Sequence, residues 1–212
     1  MAVHALIFDL DGTLIDSSEG VVDATNYALR QMRETERSAE EIKRYIGFPL
    51  KQMFADFTSA SADALYDHFQ VRAAETVVAS AHPLDGVDAV LSEVHKRGIR
   101  MSIATTKTRG HLDGIIAKLG WTKYFPTSVS GSDVAAPKPD PEAFTLALQQ
   151  LNCNAASALV VGDTINDILA ARRVPVKVAA VRSPYGGHED VAALQPDYSL
   201  NNLRELLRLL PV

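Results

Sequence analysis

The sequence predicts an α/β fold, a parallel sheet covered by helices on both faces, with a helical module inserted after the first strand. Three observations support this. Short, almost continuous apolar runs such as VHALIFDL (3–10) and ALVVGD (158–163) have the length and composition of strands buried on both faces. Stretches with apolar residues at helical spacing separate such runs, and this alternation implies right-handed crossovers and a parallel sheet. Residues 17 to about 80 break the alternation, because they carry helical patterns and no convincing strand.

The elements follow in order. After the run at 3–10, Asp16 with Glu19 and Ser38 with Glu41 have the spacing of capping boxes. Val21, Thr25, Ala28, Leu29 and Met32 trace one helical stripe, and Leu65, Phe69, Ala73, Thr76 and Val77 another. AHPLDG (81–86) reads as the return linker, with proline and glycine where the pattern stops. Further strands are expected at 99–106, 127–131, 158–163 and 176–181. Helices are expected at 87–97, 109–119, 141–151 and 164–173, with a last amphipathic one at 203–210. For the helix near 141, Asp140 is the expected cap and Pro141 the first position.

At 212 residues, 47% hydrophobic and 22% charged, the chain can bury a full core with a second small module. A net charge of −5 offers no basic surface to a polyanion, so a phosphate recognised here belongs to a small ligand and not to a nucleic acid. No apolar stretch approaches the ~18 residues of a membrane helix, and the N-terminus lacks the basic start of a signal peptide, so a cytoplasmic protein is expected. The lone Cys153 reads as a small core residue and not as a nucleophile or zinc ligand.

The chemistry collects at strand ends. Asp9 and Asp11 stand two residues apart, where side chains of a strand share a face, although the stretch alone also fits an ordinary Asp-Gly turn. Asp163 ends a second strand, and Asp167 lies four residues on in the first turn of a helix. Four converging acids repel unless a cation lies among them, and an all-oxygen set without His or Cys suits Mg²⁺. Thr105 and Thr106 end another run, and Lys138 sits between prolines ahead of a helix. A hydroxyl and an ammonium supply what carboxylates lack, since they can hold and neutralise phosphoryl oxygens.

DLDGTLIDS, the first threonine of IATTKT, the lysine of KPDPEAF and VGDTINDILAA resemble, in order, the four motifs of the haloacid dehalogenase superfamily. The likeness covers nearly the whole chain and is to the phosphoglycolate phosphatase-like branch with a small helical cap. It implies a Rossmann-like core over 1–14 and 84–212 and a cap over 15–83, hinged at Leu14–Ser17 and His82–Asp85, with PDYSLNNLRELLRLL as closing strand and helix. It also implies Mg²⁺-dependent hydrolysis of a small phosphorylated metabolite. Asp9 would be the nucleophile that forms an aspartyl phosphate, and Asp11 the acid and base. Asp9, Asp11 through its carbonyl, and Asp163 would hold the metal, with Asp167 nearby. Thr105 and Lys138 would grip the phosphate, Gly12, Thr13 and Thr106 would line its site, and Gly47, Phe48, Pro49 and Lys51 of YIGFPLKQMF would read the substrate.

The departures are few. Thr106 stands before Lys107 where many relatives have asparagine, Arg173-Val174 replaces a usual Ala-Gly, and Ser183-Pro184 replaces an aromatic and glycine. A sugar phosphomutase of the same superfamily shares the first half-reaction and stays open as an alternative. A phosphorylatable receiver-type switch also combines acids, Thr and Lys, but would not carry a helical insert after its first strand. The particular phosphate ester, and whether the chain is a monomer or a weak dimer, stay open.

Overall fold

The computed structural model describes residues 3–211; Met1, Ala2 and Val212, at the two ends of the expected core, lie outside the described residues. The sheet contains six parallel strands: β1 (Ala5–Phe8), β4 (Arg100–Ala104), β5 (Thr127–Val129), β6 (Ala158–Gly162), β7 (Lys177–Val181) and β8 (Tyr198–Leu200). Their spatial order is β5-β4-β1-β6-β7-β8. Two further strands of two residues each, β2 (Ile15–Asp16) and β3 (His82–Pro83), pair antiparallel where the chain leaves and re-enters the sheet layer.

Period-two alternation divides the sheet residues between two cores. Leu6 and Phe8 of β1 face one side with Met101, Ile103, Leu159 and Val161. Ala5 and Ile7 face the other with Val160, Val178, Ala143 and Phe144. Helices α5 (Val87–Lys96), α6 (Arg109–Lys118), α7 (Glu142–Gln150) and α8 (Ile165–Arg173) begin and end within a residue or two of expectation. A short α9 (His188–Ala193), which the sequence reading did not anticipate, follows the loop after β7.

The insert contains α1 (Ser18–Gln31), α2 (Ala39–Lys43), α3 (Leu50–Phe57) and α4 (Ala62–Ser80). α1 and α4 pack through the expected stripes, with Val21, Thr25, Ala28 and Leu29 against Leu65, Phe69, Ala73 and Val77 all buried. Their backbones meet closely at Gly20, whose N–H donates to Ser80 Oγ (3.1 Å) and whose carbonyl accepts from Thr76 Oγ1 (3.1 Å). The apolar face of the insert joins the first sheet core without a break.

Four local expectations need correction. Ser38 and Glu41 form their capping box, but Asp16 does not, because its carboxylate accepts from Ser18 N–H (2.7 Å) and Tyr185 O–H (2.9 Å) and so ties the first turn to the loop after β7. Asp140 does accept from Glu142 N–H (3.0 Å), yet α7 starts at Glu142, with Pro141 before it. The C-terminal segment is a 3₁₀-helix over Leu203–Arg208, its start fixed by Asn202 Oδ1 accepting from Arg204 N–H (3.1 Å). Cys153 is only half-buried against the second core. Among the described residues, no helix is long and apolar enough to cross a membrane.

Phe144 is fully buried on α7 beneath the strand ends. Phe144→Ala should lower stability by about 3–5 kcal/mol, as for other large-to-small aromatic changes in cores, read from the shift of the urea midpoint at constant slope.

Candidate active site at the carboxyl ends of the strands

β1 lies at the centre of the sheet, flanked by β4 and β6 in parallel register, so Asp9 leaves the sheet between their two ends. Its N–H still donates to Val161 O (2.8 Å), which carries the strand geometry one residue past β1. Asp163 follows β6, Thr105 follows β4, and α8 starts just behind Asp163 with Thr164 as its N-cap. The chain runs outward from β1 to β4 and β5, then returns to the other side of β1 for β6, β7 and β8. Such a reversal opens a crevice beyond the strand ends, where ligands of open parallel sheets bind.

Lys138 is the centre of the charged set. It is 2% exposed, and its ammonium donates to Asp9 Oδ1 (2.6 Å), Asp167 Oδ1 (2.6 Å) and the carbonyl of Ala104 (3.1 Å), which uses all three of its protons. Burial works against the charged lysine, but Asp167 and Asp9 outweigh it and hold its pKa above the ordinary value. Burial pushes the Asp9 carboxyl up, with the Lys138 ammonium pulling against it. Asp163 is raised as well, by burial first and then by Asp9 and Asp167.

Carboxylate oxygens of Asp9, Asp163 and Asp167 lie within 4.8 Å of one another. Three buried carboxylates face one ammonium, an excess of two negative charges when all are ionised. The oxygens are not equivalent. Asp167 has both engaged, Oδ1 by Lys138 and Oδ2 by the N–H (3.0 Å) and hydroxyl (2.7 Å) of Thr164, so it orients Lys138 and caps α8 at once. Asp163 Oδ1 accepts from Thr13 Oγ1 (2.9 Å), whereas its buried Oδ2 makes no hydrogen bond, with the Ser183 hydroxyl nearby favouring the ionised form.

Asp11 stands apart from this group. Its carboxylate accepts from Ser17 Oγ (2.5 Å), and its other oxygen lies 3.2 Å from Lys107 Nζ. Lys107 and Ser17 were not among the site residues expected from the sequence. The signal available for Lys107 was its place two residues beyond Thr105; Ser17 meets Asp11 only through the turn that closes when Leu14 and Ile15 N–H both donate to Leu10 O. Thr105 is buried, and its Oγ1 accepts from Lys107 N–H (3.2 Å), so the same short loop aligns both side chains.

Gly12 and Gly47 are set by close approach. Gly12 has φ +80°, and a Cβ there would clash with Asp163 Oδ2. Gly47, at φ +92°, brings the insert loop so near α8 that a Cβ would lie 2.8 Å from the Thr164 methyl group. The insert therefore rests over the acidic crevice. A cavity of about 290 Å³ lies between the two layers, lined by Asp11, Thr106, Lys107, Gly47, Phe48 and Lys51 among others. The Lys51 ammonium is paired with Asp63 Oδ1 (2.5 Å). The expected residues are thus brought to one region in two groups: Asp9, Thr13, Lys138, Asp163 and Asp167 in the acidic crevice, and Asp11, Thr106, Gly47, Phe48 and Lys51 around the adjoining cavity.

The model of the haloacid dehalogenase-like hydrolase family matches residues 6–181, and the chain belongs to that family. It is 31% identical over 207 residues to the pyrophosphatase PpaX of Bacillus velezensis, covering 98% of this chain and 96% of the relative. A haloacid dehalogenase-like family hydrolase from Streptococcus pneumoniae has the same fold, with a TM-score of 0.89 at 25% identity over 98% of both chains. A predicted phosphoglycolate phosphatase from Haemophilus somnus superposes with a TM-score of 0.88 over 98% of this chain and 97% of that one; at 22% identity this likeness concerns the fold. The protein is an enzyme of the phosphatase class within this family.

Gly12→Ala tests the tightness of the crevice. It should cost about 1–2 kcal/mol from the left-handed backbone alone. By displacing Asp163 it should also lower phosphatase kcat about 100-fold, the scale of a 1 Å misplacement. Thermal unfolding and phosphate release measure the two effects.

Proposed function

We propose that this family member is a Mg²⁺-dependent phosphomonoester hydrolase acting on a small phosphorylated metabolite through an aspartyl-phosphate intermediate. The observation that carries the reading is the cluster of three buried carboxyl groups around Lys138, an excess of two negative charges when all are ionised, with one oxygen, Asp163 Oδ2, making no hydrogen bond. An all-oxygen set of this charge fits Mg²⁺. Asp9 and Asp163 would hold the ion, with the backbone carbonyl of Asp11; Asp167, whose oxygens are both engaged, would support from Lys138's side. When bound, Mg²⁺ supplies charge neutralisation to the phosphoryl oxygens.

The chain's own residues account for the remaining work. Asp9 attacks phosphorus while the bond to the leaving oxygen breaks, and Asp11, which enters this step protonated, gives that oxygen its proton. Asp11 then takes a proton from the water that cleaves the aspartyl phosphate, releasing inorganic phosphate and regenerating Asp9. Thr105 accepts from Lys107 N–H, which leaves its O–H free to donate to a phosphoryl oxygen. Lys138 keeps one Asp9 oxygen fixed, so the nucleophile is oriented before substrate arrives. The helical insert, residues 15–83, would serve as the cap that excludes water and reads the leaving group. A cytoplasmic setting, with no nucleic-acid partner, belongs to the same proposal and accords with the net charge of −5.

Two anionic substrates are in view. Phosphoglycolate follows from the branch that the motifs resemble, and pyrophosphate is a second reading because the Bacillus velezensis relative is named a pyrophosphatase. The first test is phosphate release from a panel of esters and pyrophosphate, with Mg²⁺ or chelator. Turnover should require Mg²⁺, fall to background in Asp9→Asn, and fall about 10²–10⁴-fold in Asp11→Asn. Metal-independent turnover, or an active Asp9→Asn, would exclude this mechanism.

Stability gives a separate check on the metal. Asp163→Asn removes a buried carboxyl group whose ionised form is disfavoured by burial and by Asp9 and Asp167, so it should stabilise the metal-free protein at pH values where Asp163 is ionised, by up to about 1–3 kcal/mol, while abolishing the rise in Tm that Mg²⁺ gives the wild type. Unfolding curves in chelator and in excess Mg²⁺ read both quantities.

A further inference from the structure

Resting on the phosphohydrolase reading, we propose that Tyr185 is a positioning residue for the proton donor Asp11, acting through Asp16 and Ser17 where the chain leaves the core for the insert. The Tyr185 O–H donates to Asp16 Oδ1 (2.9 Å), 169 residues earlier in the chain. Asp16 ends β2, and Ser17, its neighbour, donates to Asp11 Oδ1 (2.5 Å). A phenol of the core thus reaches the acid through one carboxylate and one hydroxyl.

An anchor is needed at this point because the two sides of the junction are held differently. Up to Ile15 the turn closes on itself, with Leu14 and Ile15 N–H on Leu10 O (2.9 and 3.0 Å) and Gly12 N–H on Ile15 O (2.9 Å). From Ser18 onward the chain is α1, so Ser17 sits one residue from the insert, and its hydroxyl, spent on Asp11, does not cap that helix. The pairing of Asp16 with His82 does not fix the junction either, since His82 follows directly on the last helix of the insert. Tyr185 belongs to the core. Its loop starts with Arg182 N–H on Leu200 O of β8 (2.9 Å), is pinned by Tyr185 N–H on Ser183 Oγ (3.2 Å), and lays the half-buried ring against the first core. Its bond to Asp16 therefore keeps Ser17 with the core and not with α1.

The Ser17 contact is the one that lasts through the proposed cycle. The other oxygen of Asp11 lies 3.2 Å from Lys107 Nζ, an attraction that needs the ionised carboxylate and weakens when Asp11 carries its proton. A hydroxyl donating to Oδ1 serves both forms, because a protonated acid keeps an accepting oxygen. With Oδ1 held by Ser17, Oδ2 is left to carry and deliver the proton. Burial first, then Asp11 and Asp16, push the Tyr185 phenol above its ordinary pKa, so it stays a neutral donor.

The test compares kcat/KM with Mg²⁺ for glycerol 2-phosphate, whose leaving alkoxide needs a proton, and p-nitrophenyl phosphate, whose phenolate leaves without one. Tyr185→Phe keeps the ring and removes only the hydroxyl. It should lower kcat/KM about tenfold for glycerol 2-phosphate, the scale of one hydrogen bond to a charged group, and leave p-nitrophenyl phosphate within about twofold. Ser17→Ala should show the same selectivity, and the double variant should be no slower than Ser17→Ala alone, because both changes cut one path. Equal slowing of the two substrates, no slowing of either, or losses that multiply in the double variant would overturn the inference and leave Tyr185 a purely structural contact. Asp11→Asn separates this failure from that of the mechanism beneath it: it should slow glycerol 2-phosphate far more than p-nitrophenyl phosphate. If Asp11→Asn slows both alike, or the folded wild type turns over neither, the acid role of Asp11 falls and this inference with it.

Discussion

The constraint on which the site depends is that an ammonium and three carboxylates are placed out of water at the ends of buried strands. Separately, each charge would be strongly unfavourable there. Lys138 resolves part of this by donating to Asp9, Asp167 and the Ala104 carbonyl, one acceptor for each of its protons. It cannot resolve the whole, since one ammonium faces three carboxyl groups, and ionising all three leaves a surplus of two negative charges. The surplus falls where a cation and a phosphoryl group would have to meet. Asp163 Oδ2, buried and without a donor, is the local expression of that surplus.

The fold supports this arrangement with rigid parts. Asp9 is carried by the central strand, bonded on both sides in register with β4 and β6. Asp167 is fixed by the capping box of α8, in which Thr164 and Asp167 bond reciprocally. Thr13, in the turn after β1, secures one oxygen of Asp163, Oδ1. The Lys138 loop is held from outside by Arg173, whose guanidinium donates to Pro139 O (2.9 Å). Arg173 is one of the positions at which the sequence departs from the pattern that its motifs resemble, and here it makes a bracing contact. The departure leaves the charged set unaltered.

What was legible in the sequence follows the range over which each signal acts. Period-two and helical spacing are local, so the order of strands and helices, the parallel sheet and the insert could be read directly. Asp9 and Asp163 were legible because each sits where an apolar run stops, and Asp167 because it lies in the first turn of the helix that follows. Lys138, by contrast, gains its meaning from partners 129 and 29 residues away, and without the resemblance it would be a loop lysine between prolines. The surroundings of Asp11 were less visible. Ser17 reaches it through a turn with no periodic signature, and Lys107 stood in view without an assigned partner. Asp16 was misread for a related reason. Its spacing to Glu19 satisfies a capping pattern, but Tyr185, 169 residues on, provides a competing donor that only the folded chain brings near.

The two aspartates that open the motif therefore do different jobs by virtue of different neighbours. Asp9 is turned inward, toward the single ammonium shared with Asp167, in a region of surplus negative charge. Asp11 is turned toward the insert, with its charge matched by Lys107 and its second oxygen held by Ser17. That pairing has a consequence for the space above it. Lys107 lies on Asp11 and Lys51 on Asp63, so both ammonium groups on the cavity wall are paired in the free protein. The first pairing is not constant through the proposed cycle: when Asp11 carries the proton that it gives to the leaving oxygen, the Lys107 ammonium is left uncompensated beside it. The crevice is built by strand ends and the cavity largely by the insert, so the two ends of a substrate would meet separately built surfaces.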